Sequence, residues 1–564
     1  MIWYYKEMKK YIFIILLIKT VNIFCQVSEG GTPFFYNRDI LNEDNLKSKV
    51  ILEQVILPEV DNQTEIIKSD SVSQLKGIKR GYYGKIMNTD IDLINDAGII
   101  DTDNGKIQLY HIYSPTAYGM QFFFDKYKLP EGAKLYIFNE ERSMKLGAFT
   151  INNNNSDNNF GTQYITGNSV FLEYFIPDNT DEISAELHLN KVVHVFKPLR
   201  SAVGEWGTSG DCNIDVACDD DPEIQELAHS VALILCIDYD NWYSYWCSGT
   251  LINNTMNNKR SLFLSASHCA DINRVYEGYD EENFDYTRWL FIFNYQNKSC
   301  NSSLPVSTNS VYGAKLLSVD TNVNYNYLSD HLLLELNATA DQLESYNVAY
   351  AGWDANESDV YNTTYTKCIH HPAGDSKKVS YSSYTPISSS ANNHYDNQWQ
   401  VYWTSGVTED GSSGSPLFND EYKIIGYLYG GSSYCSSPYA PDFYSKLSLA
   451  YDVGKLQQWL DPADYGIRSV QSLIPESVTP EPDITVLFVQ VSSGEYEVIL
   501  KEKVSLKTDV IAEVYNSVGK RIIYNVMDPT NIIEFSMDEC PAGIYFFRLQ
   551  YNYETYENTF FYSK

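Results

Sequence analysis

Of the ten cysteines in this 564-residue chain, eight fall in one block: Cys212, Cys218, Cys236, Cys247, Cys269, Cys300, Cys368 and Cys435. Residues 26–211 contain none, Cys25 closes an N-terminal apolar stretch and Cys540 stands alone near the C-terminus. An even set confined to one segment of an exported chain reads as a disulfide framework laid down in an oxidising compartment. Zinc is the competing reading, but no CxxC pair occurs and the spacings are irregular, so neither a metal nor a cofactor is expected.

Export is read from the first 25 residues. Lys6, Lys9 and Lys10 precede the apolar run 11–18, then come Lys19 and the apolar residues 21–24. That is the charged region and short apolar core of a signal peptide, with cleavage near Cys25/Gln26; an uncleaved anchor is the alternative. No later apolar run approaches the roughly 20 residues needed to cross a bilayer, so the mature chain is read as soluble. The formal net charge of −32 argues against nucleic acid or anionic lipid as a partner, since both need clustered Lys and Arg.

The length predicts several domains, and the patterning predicts an all-β protein. Residues 26–206 alternate in stretches such as 106–113, 134–138 and 170–175, with a turn at Leu129-Pro130-Glu131-Gly132, and read as a β-rich domain. Residues 207–470 carry the cysteines, in short β-branched and aromatic runs separated by Gly/Ser/Asn turns, which suggests barrels or sandwiches. One helix is expected over 453–460. Pro475, Pro480 and Pro482 mark a linker over 471–483, and 484–564 holds about seven short strands, as in an immunoglobulin-like sandwich.

Three segments of the central block carry chemistry together. Leu262-Phe263-Leu264-Ser265-Ala266-Ser267-His268-Cys269 is an apolar strand ending in a histidine. Ser329-Asp330-His331-Leu332-Leu333-Leu334 places an acid at the mouth of another. Gly411-Ser412-Ser413-Gly414-Ser415-Pro416 is a tight turn before a third. Amide hydrolysis needs a serine activated by an imidazole whose tautomer is fixed by a carboxylate. His268, Asp330 and Ser413 supply these groups in the chain order His, Asp, Ser, which differs from that of the α/β-hydrolases and subtilisins. Gly411 lets its own N–H and that of Ser413 converge on the substrate oxygen, and Gly414 lets the backbone pass close behind the nucleophile.

These residues resemble the chymotrypsin-fold serine proteases, and within them the bacterial lysyl endopeptidases, over roughly residues 207–465. Further matching stretches are Cys212-Asn213-Ile214-Asp215-Val216-Ala217-Cys218, Cys247-Ser248-Gly249-Thr250-Leu251-Ile252, Ala351-Gly352-Trp353-Asp354 and Gly406-Val407-Thr408-Glu409-Asp410. The resemblance implies a double β-barrel with Ser413 as nucleophile, His268 as general base and acid, and Asp330 as its orienter. It implies Gly411 and Ser413 as oxyanion donors and the bridges Cys212–Cys435, Cys218–Cys300 and Cys247–Cys269. Cys236 and Cys368 are left over and are expected to form a fourth bridge. It also implies a lysine-selecting pocket in which Asp442 meets the substrate ammonium, with Glu409 lining the wall and Gly430 and Gly431 on the adjoining strand. Tyr429 stands where the family can carry histidine. His370 and His371, which could suggest a metal, alternate across a strand and read as structural.

The expected protein is therefore a secreted serine endopeptidase cutting after lysine, with protein or peptide substrates. The same fold with arginine or broader specificity, and a catalytically dead surface adhesin, are the alternatives. Residues 26–206 resemble a lysyl endopeptidase propeptide, which would inhibit by steric cover, because Ser412 replaces the aspartate that switches trypsin-like zymogens. Maturation would fall between Lys197 and Gly207, with Lys197 or Arg200 as the basic residue. Residues 484–564, through Ile511-Ala512-Glu513-Val514-Tyr515-Asn516 and Cys540-Pro541-Ala542-Gly543-Ile544-Tyr545, resemble the C-terminal sorting domain of the type IX secretion system. That would engage the secretion machinery and leave the protein released or attached at the cell surface after export through the periplasm.

Overall fold

A computed structural model of the chain describes residues 28–36, 53–76, 81–95, 98–102, 104–178, 185–197, 209–238, 242–270, 285–300, 308–320, 329–391, 394–474, 485–492, 495–501, 510–516, 520–527, 532–537, 540–551 and 554–562. The expected signal peptide, the maturation segment beyond Lys197 and most of the linker lie outside these residues. The described chain is all-β with a few short helices, in two compact units, 1–475 and 476–564.

The first part of unit 1 holds helix α1 (Asn62–Lys76) and strands β1 (Gly81–Asp92), β2 (Gly105–Tyr113), β3 (Gly119–Lys128), β4 (Lys134–Asn139), β5 (Ser169–Pro177) and β6 (Glu186–Val195). One sheet runs β2–β5–β4 and the other β1–β6–β3. Between them lies a core of Phe122, Phe124, Tyr127, Ile137, Leu172 and Tyr174. The alternation seen in the sequence is that of strands with one face on this core.

Next come β7 (Val231–Asp238), β8 (Tyr243–Leu251), β9 (Leu262–Ala266), β10 (Leu290–Phe293), β11 (Asn309–Tyr312), β12 (Ala314–Val319) and β13 (His331–Leu336). Their pairing runs β10–β7–β8–β9–β13–β12, and β11, which continues into β12 through Gly313, pairs back onto β10. The circuit closes into a six-strand barrel. A second barrel follows from β14 (Thr366–His370), β15 (Lys378–Ser382), β16 (His394–Val401), β17 (Pro416–Phe418), β18 (Ile424–Gly431) and β19 (Asp442–Lys446). Here the order is β15–β14–β17–β18–β19–β16, and a bridge between Tyr381 and Ser405 returns the chain to β15. Two closed antiparallel barrels joined in tandem are the chymotrypsin-type fold.

Strand β7 reads as an unbroken apolar run and is buried throughout because both its faces are covered. Ala232, Ile234 and Cys236 point into the barrel. Leu233, Leu235 and Ile237 join Tyr83, Ile86, Val193 and Val195 of β1 and β6 in a second core outside it. Strand β10 divides likewise, Phe291 and Phe293 inward and Leu290 and Ile292 outward. Strand β1 also pairs antiparallel with β8, Gly81 opposite Trp246 and Tyr82 opposite Tyr245. The 26–206 region is thus welded to the first barrel by a shared sheet and a shared apolar layer.

Three bridges are present, Cys212–Cys435, Cys218–Cys300 and Cys247–Cys269. The expected fourth is not: Cys236 and Cys368 are buried thiols, one on β7 in the first barrel and one on β14 in the second. Cys368 Sγ lies 3.2 Å from Ser415 Oγ, and Cys236 belongs to the core of the first barrel. The helix expected over 453–460 is also corrected. Two short helices, α2 (Leu447–Asp452) and α3 (Gln457–Leu460), are separated by Gly454 and by Lys455 at φ 59°, a backbone state that cannot continue a right-handed helix.

In unit 2, seven strands form one sheet of three, Thr485–Ser492, Glu495–Lys501 and Ile532–Ser536, and one of four, Arg521–Met527, Val510–Asn516, Gly543–Tyr551 and Glu554–Tyr562. Phe535 of the first sheet stacks on Phe547 of the second with ring centroids 5.4 Å apart, so the sheets face each other as a sandwich.

Candidate active site

His268 follows β9 in a single 3₁₀ turn, Ser267–Cys269, and the Cys247–Cys269 bridge ties that turn to β8. Asp330 precedes β13, the strand paired with β9, so its carboxylate and the imidazole leave neighbouring strands at one end of the first barrel. Asp330 holds a positive φ of 48°, a conformation aspartate tolerates better than most residues. The carboxylate of Asp320 fixes it by accepting the N–H groups of Ser329 and Asp330 at 2.7 and 2.8 Å. Ser413 comes from the second barrel, in the turn before β17.

The three side chains meet. His268 Nδ1 lies 2.8 Å from Asp330 Oδ2 and His268 Nε2 lies 2.8 Å from Ser413 Oγ. The other carboxylate oxygen accepts from Ser267 Oγ at 2.7 Å and from the His268 N–H at 3.0 Å. With the Nδ1 proton held by Asp330, Nε2 is left as an acceptor for the serine hydroxyl. All three residues are buried, Ser413 completely. The ring of Tyr429 packs edge-on against His268 at 5.6 Å.

The turn around Ser413 explains its glycines. Gly411 has φ 96° and Gly414 φ 82°. A Cβ on Gly414 would come within 2.2 Å of Ser265 Oγ and 2.5 Å of the Ser248 carbonyl oxygen, so only glycine lets the backbone pass behind Ser413. The Asp410 carbonyl turns inward and accepts the Ala373 N–H at 2.5 Å, which aims the Gly411 N–H the other way. The N–H groups of Gly411 and Ser413 have no acceptor among the described residues. Both belong to the turn that carries Ser413.

Asp442, fully buried, opens β19. Its Oδ2 accepts from Trp403 Nε1 at 2.6 Å, from Thr408 Oγ1 at 2.6 Å and from Ser433 Oγ, and the Ser433 N–H lies 3.3 Å from Oδ1. These four donors are uncharged. Gly431 pairs with Asp442 across β18 and β19, and a Cβ there would fall 2.1 Å from Oδ1. Gly430, opposite Phe443, continues the same strand edge. Glu409 Oε2 accepts the Gly210 N–H at 3.0 Å, tying the segment before Cys212 to the turn that leads into Ser413.

His370 bonds Ser412 Oγ at 2.8 Å and Ser380 Oγ at 3.1 Å, and His371 Nδ1 lies 2.9 Å from the Asp375 carbonyl. Burial pushes the His371 imidazole well below its ordinary pKa and holds the Lys377 ammonium beside it down to about 7. Among the described residues no group of three or more His, Cys, Asp or Glu could hold a metal ion. Asp320, Ala373, Trp403 and Ser433, which hold the relay, the Gly411–Ser413 turn and the buried carboxylate, have no local sequence signal. Ser267 and Thr408 lie inside stretches the sequence singles out.

A double barrel with a Ser–His–Asp relay at the junction defines the class of site. Comparison with known proteins narrows it. The family described as lysyl endopeptidase, C-terminal domain, matches residues 206–445. A lysyl endopeptidase of Pseudomonas aeruginosa is 30% identical over 303 residues, 51% of this chain and 60% of that relative; the chain thus matches less than two thirds of the relative's length. Similar solved structures include the HtrA-type protease AlgW with tripeptide (13% identity, TM-score 0.28, 60% of this chain and 94% of that one) and kallikrein-related peptidase 10 (14%, 0.25, 42% and 96%).

Proposed function

We propose that this chain is the precursor of a secreted serine endopeptidase that hydrolyses peptide bonds on the carboxyl side of lysine. The observation that carries the reading is the hydrogen-bonded relay Asp330–His268–Ser413, in a turn whose Gly411 and Ser413 N–H groups have no acceptor among the described residues. Ser413 Oγ attacks the scissile carbonyl as its proton passes to His268 Nε2, and Asp330 stabilises the imidazolium. The developing oxyanion takes the N–H groups of Gly411 and Ser413. His268 then protonates the leaving amine, and water enters by the reverse steps to release the acyl group.

The preference for lysine rests on Asp442, a buried carboxylate held by neutral donors, and on the similarity to a lysyl endopeptidase. An unpaired ammonium is costly to bury, so a fixed carboxylate favours it over neutral side chains. Residues 26–206 act as the inhibitory pro-region, a role supported by the strand β1 added to β8 and by the buried state of Ser413. Unit 2 serves export and surface sorting. A fluorophosphonate probe tests the central assignment. It should modify Ser413 in wild-type mature protein and leave Ser413→Ala unlabelled; a folded mature protein that stays unlabelled would overturn the reading.

A further inference from the structure

The residue before Ser413 is held by a run of hydrogen-bonded side chains that the proposed reaction does not use. Ser412 is fully buried and lies between Gly411 and Ser413, whose N–H groups have no acceptor among the described residues. Its hydroxyl oxygen accepts the Glu409 N–H at 3.3 Å and lies 2.8 Å from His370 Nδ1. His370 Nε2 lies 3.1 Å from Ser380 Oγ, and the Ser380 hydroxyl donates to the Val407 carbonyl at 2.8 Å. His370 closes β14 and Ser380 stands on β15, the strand paired with it, and both are fully buried. Gly406, at φ 72°, makes room for this run, since a Cβ there would fall 2.6 Å from Ser380 Oγ.

The placement of the protons follows. Ser380 gives its hydroxyl proton to Val407, so toward His370 it accepts, and Nε2 carries the ring proton. In the neutral ring Nδ1 is then an acceptor and takes the Ser412 hydroxyl. The run thus starts at the Glu409 N–H and ends on the Val407 carbonyl, both on the segment that leads into Ser413, and it needs no ionised group. Ser412 in turn fixes its neighbours. Its carbonyl accepts the Ser415 N–H at 3.0 Å, and the trans peptide points the Ser413 N–H to the opposite side. Resting on the proposed activity, we infer that His370 is a positioning residue for the reaction. Through Ser412 it sets the Gly411–Ser413 turn so that both N–H groups meet the substrate oxygen. A displacement of about 1 Å can cost about 10²-fold in rate, and removal of a whole oxyanion donor about 10²–10³-fold.

The test measures kcat and KM for a lysyl peptide amide, per site titrated by a fluorophosphonate probe, in protein matured from the full-length chain. His370→Asn places an amide oxygen near the Nδ1 position and keeps an acceptor for Ser412. His370→Gln reaches toward Nε2 and leaves Ser412 without one. His370→Gln should lower kcat about 10–100-fold with KM within about twofold, because the loss falls on the transition state, and His370→Asn should recover most of it. Ser412→Ala, which removes a single oxygen, should lose as much as His370→Gln. Combining the two should cost no more than about twofold beyond either alone, because both act through one contact. The inference is overturned if titrated His370→Gln turns over like wild type, if His370→Asn recovers nothing, if the two losses multiply in the double variant, or if KM carries the change. Variants that take no probe beside a wild type that does mark His370 as structural and overturn it too. A wild type that takes no probe overturns the proposed activity itself, and this inference with it.

Discussion

Replacing Asp442 by asparagine isolates the charge that the pocket is proposed to use. The amide oxygen can take the place of Oδ2, keeping the bonds from Trp403, Thr408 and Ser433 Oγ, and the NH₂ then stands at Oδ1, where the Ser433 N–H is lost as a donor. That rearrangement costs stability of about 1–3 kcal/mol, so the variant should fold. A lysyl substrate loses its counter-charge. Truncating one partner of a buried charge pair costs about 2–5 kcal/mol, which at about 1.36 kcal/mol per decade is a fall of roughly 30-fold to several thousand-fold in kcat/KM. The assay compares a lysyl peptide amide with the same peptide carrying norleucine, a side chain of similar reach without the charge. Asp442→Asn should collapse the lysine-to-norleucine ratio mainly by lowering the lysine value. An unchanged ratio in a folded, probe-reactive variant would refute the assignment of Asp442.

Other consequences are as direct. Among the nine cysteines that follow Cys25, alkylation of the denatured, unreduced chain should modify Cys236, Cys368 and Cys540 and leave the six bridged ones untouched; protection of Cys236 and Cys368 would restore the fourth bridge. Burial holds His194 of β6 down to about 4, with Ser114 Oγ and Asn62 Oδ1 on its two nitrogens at 2.8 and 2.9 Å. The unfolded chain takes up a proton near 6.5 that the folded chain refuses, so stability present above that pH is lost as pH falls toward 4, by about 3 kcal/mol. Denaturant titrations of the precursor should therefore fall less steeply over this window in His194→Gln than in wild type; equal slopes would contradict the account. The outward Leu233, Leu235, Ile237, Leu290 and Ile292 each contribute about 1.5–3 kcal/mol when covered. Refolding of residues 207–564 alone should accordingly give far less active protein than refolding of the precursor, and equal yields would count against the shared apolar layer.

What the sequence made legible follows the range of each interaction. Strand runs, the Gly/Ser turn at Ser413 and the ends of β9 and β13 are local patterns, and they point to the barrels and to the three residues that the structure brings together. Groups that act across the fold left no such mark. Ala373 orients the Asp410 carbonyl from 37 positions away, and Trp403 and Ser433 reach Asp442 only because β16, β18 and β19 close one barrel. Helix α1 was not expected, since its stretch is polar and lacks an apolar stripe; Glu65 and Asp70 hold it through tertiary contacts instead. Counting cysteines assigned Cys236 and Cys368 to each other by parity, whereas packing assigns them to separate barrels.

The most direct measurement of the proposed activity is a digest of a denatured protein of known sequence by the matured enzyme, read by mass spectrometry of every new peptide end. Ends that follow lysine, produced by wild type and absent with Ser413→Ala, are the predicted result. Ends following other residues, or lysine ends that persist in Ser413→Ala, would contradict it.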